Sequence, residues 1–243
     1  MQADVGVTKH IGCFEATNEL LTQCHIESAR EVLNVGCGIG VGSTYIANMY
    51  DCHVVGVDIS EKMIEWSRQR AREERIKAKV EFHTADVLDL PFKGGRFDVV
   101  FTESLLIFVE DKAQAIRECV RVTKPGGYVG LNEGFWTEQP SPELVALARD
   151  AVGPCVPTLD TWQALWEASG LQERVVKTHQ VDARTEVKSR IQWIGWQWLL
   201  RAWGRALRLY ITNTAIRQSI KKQFDVPPEV FEYVGYGLFV GKK

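Results

Sequence analysis

The chain has six cysteines (Cys13, Cys24, Cys37, Cys52, Cys119 and Cys155), but no two of them form a C-x-x-C pair. None lies at zinc-ligand spacing to any of the five scattered histidines. That excludes the usual structural zinc patterns, and no metal is expected. No apolar run is long enough to cross a bilayer. The N-terminus is polar and no apolar segment of the secretory kind follows it, so reduced thiols and a cytoplasmic location are expected. The net charge is only −2. No global field therefore favours nucleic acid or anionic lipid, although local patches remain open. Internal repeats and low-complexity segments are absent too. What remains is a chain of 243 residues, 45% of them apolar. Such a chain can bury a sizeable core in one α/β domain with a modest insertion.

Short apolar runs alternate with helical patterns along the first two thirds. Strands are expected at Glu31–Val35, His53–Asp58, Val80–Thr84, Phe97–Phe101 and Tyr128–Glu133, with a turn at Lys124-Pro125-Gly126-Gly127. Helices are expected at about Phe14–Cys24, Val41–Met49, from an N-cap at Ser60 to about Glu74, and Lys112–Val122. Thr161–Ser169 reads as a further helix, Glu173–His179 as a sixth strand and Tyr236–Val240 as a terminal strand. The strands lack strict alternation, as strands buried on both faces do. Strand–helix alternation predicts an α/β fold, a doubly wound and mostly parallel seven-stranded sheet with helices on both faces. One domain is expected over 1–243. It comprises an N-terminal helical cap (1–30), a core (31–180), a helical insertion (182–231) and the terminal strand (232–243). The insertion is too long for a simple connection, and two helices are expected between Thr185 and Phe224.

The first strand runs straight into Gly36-Cys37-Gly38-Ile39-Gly40. Glycines here let bare backbone approach a ligand, and the next helix offers free N–H groups at its start. The dinucleotide spacing G-x-G-x-x-G fails in both registers, because Val41 and Ser43 stand where its last glycine belongs. The phosphate-loop ending G-K-S/T is missing as well. The second strand ends at Asp58, beside the glycine turn in a doubly wound sheet, where a carboxylate can accept both ribose hydroxyls of an adenosine.

With VLNVGCGIG, VVGVDIS, TADVLDLPF, FDVVFTESLLIFVED and RVTKPGGYVGLNE in this order, residues 31–133 resemble the class I S-adenosylmethionine-dependent methyltransferases. The flavour is similar to the branch of ubiquinone, menaquinone and other small-molecule methyltransferases, a resemblance that fades after residue 140. The resemblance implies S-adenosylmethionine as cofactor, with Gly36, Cys37, Gly38 and Gly40 under its methionine part. It also implies Asp58 on the ribose, Ile59 against the adenine, Asp86 at the adenine amino group and Val87 beside the ring. Thr102, Glu103 and Ser104 would stand where methyl group and acceptor meet. The family usually has aspartate where this chain has Asn34, so one negative charge near a cationic cofactor is missing.

Methyl transfer from a sulfonium is an in-line displacement that needs alignment and dryness more than a covalent intermediate. An amine or hydroxyl acceptor can also call for a base. The candidates are His10, Glu103 and Glu133, the last two at the carboxyl edge of the sheet. His10 sits in a glycine-flanked loop, and an unperturbed imidazole changes charge near neutrality, as a base would require. The D/N-P-P-Y/F tetrapeptide of nucleic-acid amino-methylases does not follow the fourth strand, where Thr102-Glu103-Ser104-Leu105 stands instead. Nucleic acid is therefore not an expected partner. The paired-glutamate loop of protein arginine methyltransferases, a magnesium-binding aspartate cluster and arsenite-type cysteines at the fourth strand are also missing.

Six of the eight tryptophans fall between Trp162 and Trp203. Trp193, Trp196, Leu200, Trp203, Leu207 and Tyr210 step by three and four onto one helical stripe, with Arg201, Arg205 and Arg208 on another face. The expectation is a lid helix whose aromatic stripe packs over the acceptor pocket or the sheet. The alternative is a peripheral membrane contact through 191–210, with arginines at lipid headgroups. The acceptor is expected to be a small molecule, in a pocket built by the N-terminal loop, Trp136 and the insertion. A lipid or prenylated quinone precursor at a membrane surface is the alternative. A cofactor-binding module without catalysis is the third reading.

Overall fold

The computed structural model describes residues 11–76, 79–148, 156–181, 194–212, 217 and 232–243. The elements in chain order are α1 (Cys13–Gln23), β1 (Glu31–Val35), α2 (Val41–Met49), β2 (His53–Asp58), α3 (Glu61–Glu73), β3 (Val80–Thr84) and β4 (Phe97–Glu103). They continue with α4 (Lys112–Val122), β5 (Thr123–Trp136), α5 (Pro142–Ala148), α6 (Leu159–Glu167), β6 (Gln172–Gln180), α7 (Trp196–Thr212) and β7 (Val234–Lys242). The seven strands form one sheet in the order β3-β2-β1-β4-β5-β7-β6. The β1–β5 pairs are parallel, while β7 runs antiparallel to both β5 and β6. The expected doubly wound sheet is therefore present.

Two apolar layers cover the sheet. Leu20 and Leu21 of α1, Ile46 of α2 and Ile64 of α3 pack with Val32, Val54, Val99 and Phe101 on one face. Ile116 of α4 and Trp162 and Trp166 of α6 pack with Leu33, Val55, Val100 and Leu131 on the other. Local signals set the helix starts: Ser60 Oγ accepts from Met63 N–H, and Asp111 Oδ1 from Gln114 N–H.

Three boundaries differ usefully from expectation. The fourth strand extends two residues beyond Phe101, to Glu103. The fifth strand begins at Thr123, so the Lys124–Gly127 turn lies within it. Gly126 has a left-handed φ of 81°, and the pairing with β4 shifts register between Phe97 and Val99. Lys243 stitches this bend by exchanging backbone bonds with Gly126 and Gly127. Within the insertion, α7 is an uninterrupted helix that starts just after Gly195 (φ 88°). The rest of the expected two-helix segment lies outside the described residues.

The chain builds β1, β2 and β3 outward in one direction and then returns to place β4 on the other side of β1. The carboxyl ends of β1 and β4 thus flank the reversal point, where a doubly wound sheet opens a crevice.

Candidate active site

The glycine turn leaves β1 and is tied to the end of β2. Gly36 and Cys37 both donate their N–H to Val57 O, at 2.8 and 2.9 Å, and Gly38 donates to Asp58 Oδ2 at 3.0 Å. Gly36, Gly38 and Gly40 all have left-handed φ values, 77°, 55° and 77°. A Cβ at Gly36 would meet the Leu105 side chain at 2.9 Å, and one at Gly40 would meet Ser67 at 2.9 Å. Side chains are therefore excluded on both conformational and steric grounds. Ser67 Oγ on α3 donates to Gly38 O at 2.8 Å and fixes the turn from behind. Cys37 contributes backbone only. Its side chain is buried beside Gly56 and Ser67, and burial pushes its thiol far above the ordinary range.

Asp58 accepts from Gly38 N–H with one oxygen and from Ser60 N–H, at 2.9 Å, with the other. Burial pushes its carboxyl above the ordinary range, while these two backbone bonds hold it down. Each oxygen keeps lone-pair capacity for a further donor. Ile59, next in the chain, is 70% exposed, an apolar side chain left open beside the carboxylate. Asp86 is also exposed, and its Oδ1 accepts from Leu88 N–H. These positions fit S-adenosylmethionine: a glycine turn for the methionine part, and a carboxylate with spare acceptor capacity beside an open apolar side chain for the adenosine. Val87 does not fit as expected. Its side chain packs into the main core and is not open to a ring. Asn34 is buried and donates to Ser43 Oγ at 3.1 Å, tying β1 to the first turn of α2.

The residues expected at the methyl position separate. Glu103 pairs with Asn132 across β4 and β5, so these two share one face of the sheet. Thr102 and Glu133 face the other way. Thr102 is fully buried and donates to Glu133 Oε1 at 3.1 Å, so its hydroxyl is turned away from the crevice. Glu133 is fully buried as well. It accepts from the N–H groups of Leu105 and Leu106 at 3.0 and 2.9 Å, and from Ile107 at 3.3 Å. Burial pushes its carboxyl up to about 7, against those donors. Glu133 thus shapes the turn after β4 from within the core. The reason is strand parity: one residue beyond Asn132, its side chain projects through the opposite face.

Glu103 stays half-buried on the α1 side, and its Oε1 accepts from Thr17 Oγ1 at 2.6 Å. Ser104, with a left-handed φ of 50°, accepts from Ile11 N–H at 3.0 Å. Asn132 Nδ2 donates to Ile11 O at 2.8 Å, and its buried Oδ1 has no partner among the described residues. Both polar backbone groups of Ile11 are thereby held beside the carboxyl end of β4. Trp136 packs beside Ile11 and Val234. Thr17, Ile11 and Asn132 escaped the sequence reading, because their roles arise only from contacts far apart in the chain. His10 lies outside the described residues.

The insertion reaches the site from behind. Ile194 and Trp198 pack with Ile39 of the glycine turn, with Val41 at the start of α2 and with Met63 of α3. The Arg70 guanidinium lies 4.4 Å from the Trp198 ring centroid and donates to Ile194 O, and Arg205 lies 4.4 Å from that of Trp66. The expected lid arrangement is reversed. Trp196, Leu200, Trp203 and Leu207 point to solvent, and the opposite face of α7 is the docked one. Trp193 lies outside the described residues.

A family profile described as methyltransferase domain matches residues 33–131. Phosphoethanolamine N-methyltransferase 1 of Triticum aestivum is 30% identical over 167 residues, covering 68% of this chain and 33% of that protein. The chain thus spans about a third of the length of that curated relative. Among solved structures, the cyclase SpnF superposes with a TM-score of 0.75 at 20% identity, covering 98% of this chain and 88% of its own. Phosphoethanolamine N-methyltransferase 2 of Haemonchus contortus, in complex with phosphomonomethylethanolamine and S-adenosylhomocysteine, gives 0.71 at 15% identity. It covers 100% of this chain and 56% of its own. At these identities the two structures establish the fold.

Proposed function

We propose that this chain, which carries a class I S-adenosylmethionine-dependent methyltransferase domain over residues 33–131, transfers a methyl group from S-adenosylmethionine to a small-molecule acceptor at nitrogen, oxygen or carbon. The observation that carries this reading is the bond from Gly38 N–H to Asp58 Oδ2. It locks the glycine turn against a carboxylate that can still accept two hydroxyls. Once bound, S-adenosylmethionine supplies a methyl group on a cationic sulfur, open to in-line displacement. Gly36, Gly38 and Gly40 back the methionine part, Asp58 accepts from the ribose, Ile59 lies against the adenine and Asp86 accepts from its amino group. Glu103, steadied by Thr17, holds a cationic acceptor or takes its proton. Ser104 and Asn132 anchor Ile11 beside the end of β4, which helps to exclude water. Glu133 acts as a positioning residue for the Leu105–Ile107 turn.

Phosphoethanolamine, in the name of the wheat relative, is the first acceptor to try. Calorimetric titration with S-adenosylmethionine and S-adenosylhomocysteine, followed by product formation over a panel of phosphorylated and free amines, tests the proposal. Saturable binding with methylated product supports it. Absence of binding sinks it, and binding without transfer to any acceptor points to a cofactor-binding module. A second reading, contact with a membrane through 191–210, is favoured by the outward apolar stripe of α7.

A further inference from the structure

We propose that the outer face of α7 docks on an anionic lipid bilayer, a step that goes beyond methyl transfer and does not require it. Trp196, Leu200, Trp203, Leu207 and Ile211 are each between 62% and 75% exposed. At about 100° per residue they share one narrow stripe, opposite the Trp198–Ala202–Arg205 face that seats α7 on α3. Five large apolar side chains in a row are a contiguous patch, not the scattered exposure common on protein surfaces. No helix among the described residues is long and apolar enough to cross a membrane. The stripe therefore suits a helix lying in the interfacial plane.

Charge identifies the occupant. Between residues 187 and 224 the sequence holds eight basic residues (Lys188, Arg190, Arg201, Arg205, Arg208, Arg217, Lys221 and Lys222) and no acidic one, in a chain whose net charge is −2. Positive charge is thus concentrated in the sequence segment that contains α7, and the described residues of α7 include three arginines and no acidic residue. Arg208 is exposed on the flank of the apolar stripe, while Arg201 bridges to Glu73 at 3.0 Å and Arg205 lies over Trp66. Anionic headgroups complement such a segment. A second copy of the same face would set like charges together, which disfavours pairing between copies.

The decisive experiment is co-sedimentation of the full chain, without cofactor, with vesicles of phosphatidylcholine alone and of an equimolar phosphatidylcholine–phosphatidylglycerol mixture. Binding to the mixed vesicles, weakened by salt, is expected. The double substitution Trp203→Glu and Leu207→Glu should reduce partitioning by at least about tenfold, since it removes most of the apolar contact. S-adenosylhomocysteine affinity without vesicles should stay unchanged in that variant, which shows that it is folded. Three outcomes overturn the proposal: no binding of the unmodified chain to anionic vesicles, equal binding by the variant, or a dimer dissolved by the variant in a chain that ignores vesicles. Loss of cofactor binding in the unmodified chain would overturn the methyltransferase reading and leave this one standing.

Discussion

The Trp198 ring lies 4.4 Å below the Arg70 guanidinium and against Ile39 of the cofactor turn, so one side chain joins the insertion to the glycine loop. Burial lowers the affinity of Arg70 for its proton, and Glu74, bonded at 3.1 Å, offsets this. Trp198→Ala removes the ring and leaves a cavity. Core truncations of this size cost about 3–5 kcal/mol, and here the loss falls on the docking of α7. The expected outcome is fast amide exchange over 196–212 with slow exchange retained in β1, β2 and β4, together with weaker S-adenosylhomocysteine binding. Unchanged exchange in α7 would mean that Trp198 does not hold it.

Asp58→Ala tests the ribose contact. Loss of charge-assisted hydrogen bonds should weaken cofactor binding by about 1–3 kcal/mol. Because burial already disfavours the Asp58 charge, the cofactor-free protein should lose less stability than the complex loses affinity. Calorimetry and chemical denaturation of the same variant give both numbers, and equal affinity in a folded variant would remove Asp58 from the ribose site.

Glu133 should leave a signature in the pH dependence of stability. Its carboxyl is raised from the ordinary 4.5 to about 7 in the folded chain. Between those values the folded state holds a proton that the unfolded state has released, so this residue's contribution falls as pH rises through the window. Glu133→Gln, which cannot titrate, should lack that component. The stability difference between the two proteins, measured by urea denaturation across the window, should change with pH in that direction. A constant difference would contradict the raised carboxyl.

Ile11 is anchored by Ser104 and Asn132. Replacing both by alanine deprives Ile11 of its two partners, each worth about 0.5–1.5 kcal/mol. Proteolysis should then cut the N-terminal segment faster, and methyl transfer should fall more than cofactor affinity does. Equal cleavage rates would show that other contacts anchor Ile11.

The sheet and the cofactor turn were legible because buried parallel strands read as apolar runs and glycines with carboxylates mark the turn ends. β1, β2, β3, α2 and α4 fall where expected. The two glutamates were grouped wrongly for a definite reason. With the fourth strand expected to stop at Phe101, no parity could be carried to Glu103, and only the register with Asn132 shows Glu133 facing the opposite way. The orientation of α7 was hidden differently. Periodicity finds the most apolar face, and burial usually follows it. Here the inward face is a buried tryptophan and alanine beside a half-buried arginine, with cation–π contacts to Arg70 and Arg205 that no hydropathy pattern marks as inward.

The place of β7 between β5 and β6 bears on how the molecule is made. A nascent chain that has emerged only to Val181 has no strand to pair with the outer edge of β5, and β6 has nothing to join. An unpaired strand edge invites pairing with other chains. Pairings this distant in sequence also form slowly. Completion of the sheet during synthesis therefore waits for residues 234–242, and a chaperone that shields β5 until then should raise the yield of native protein.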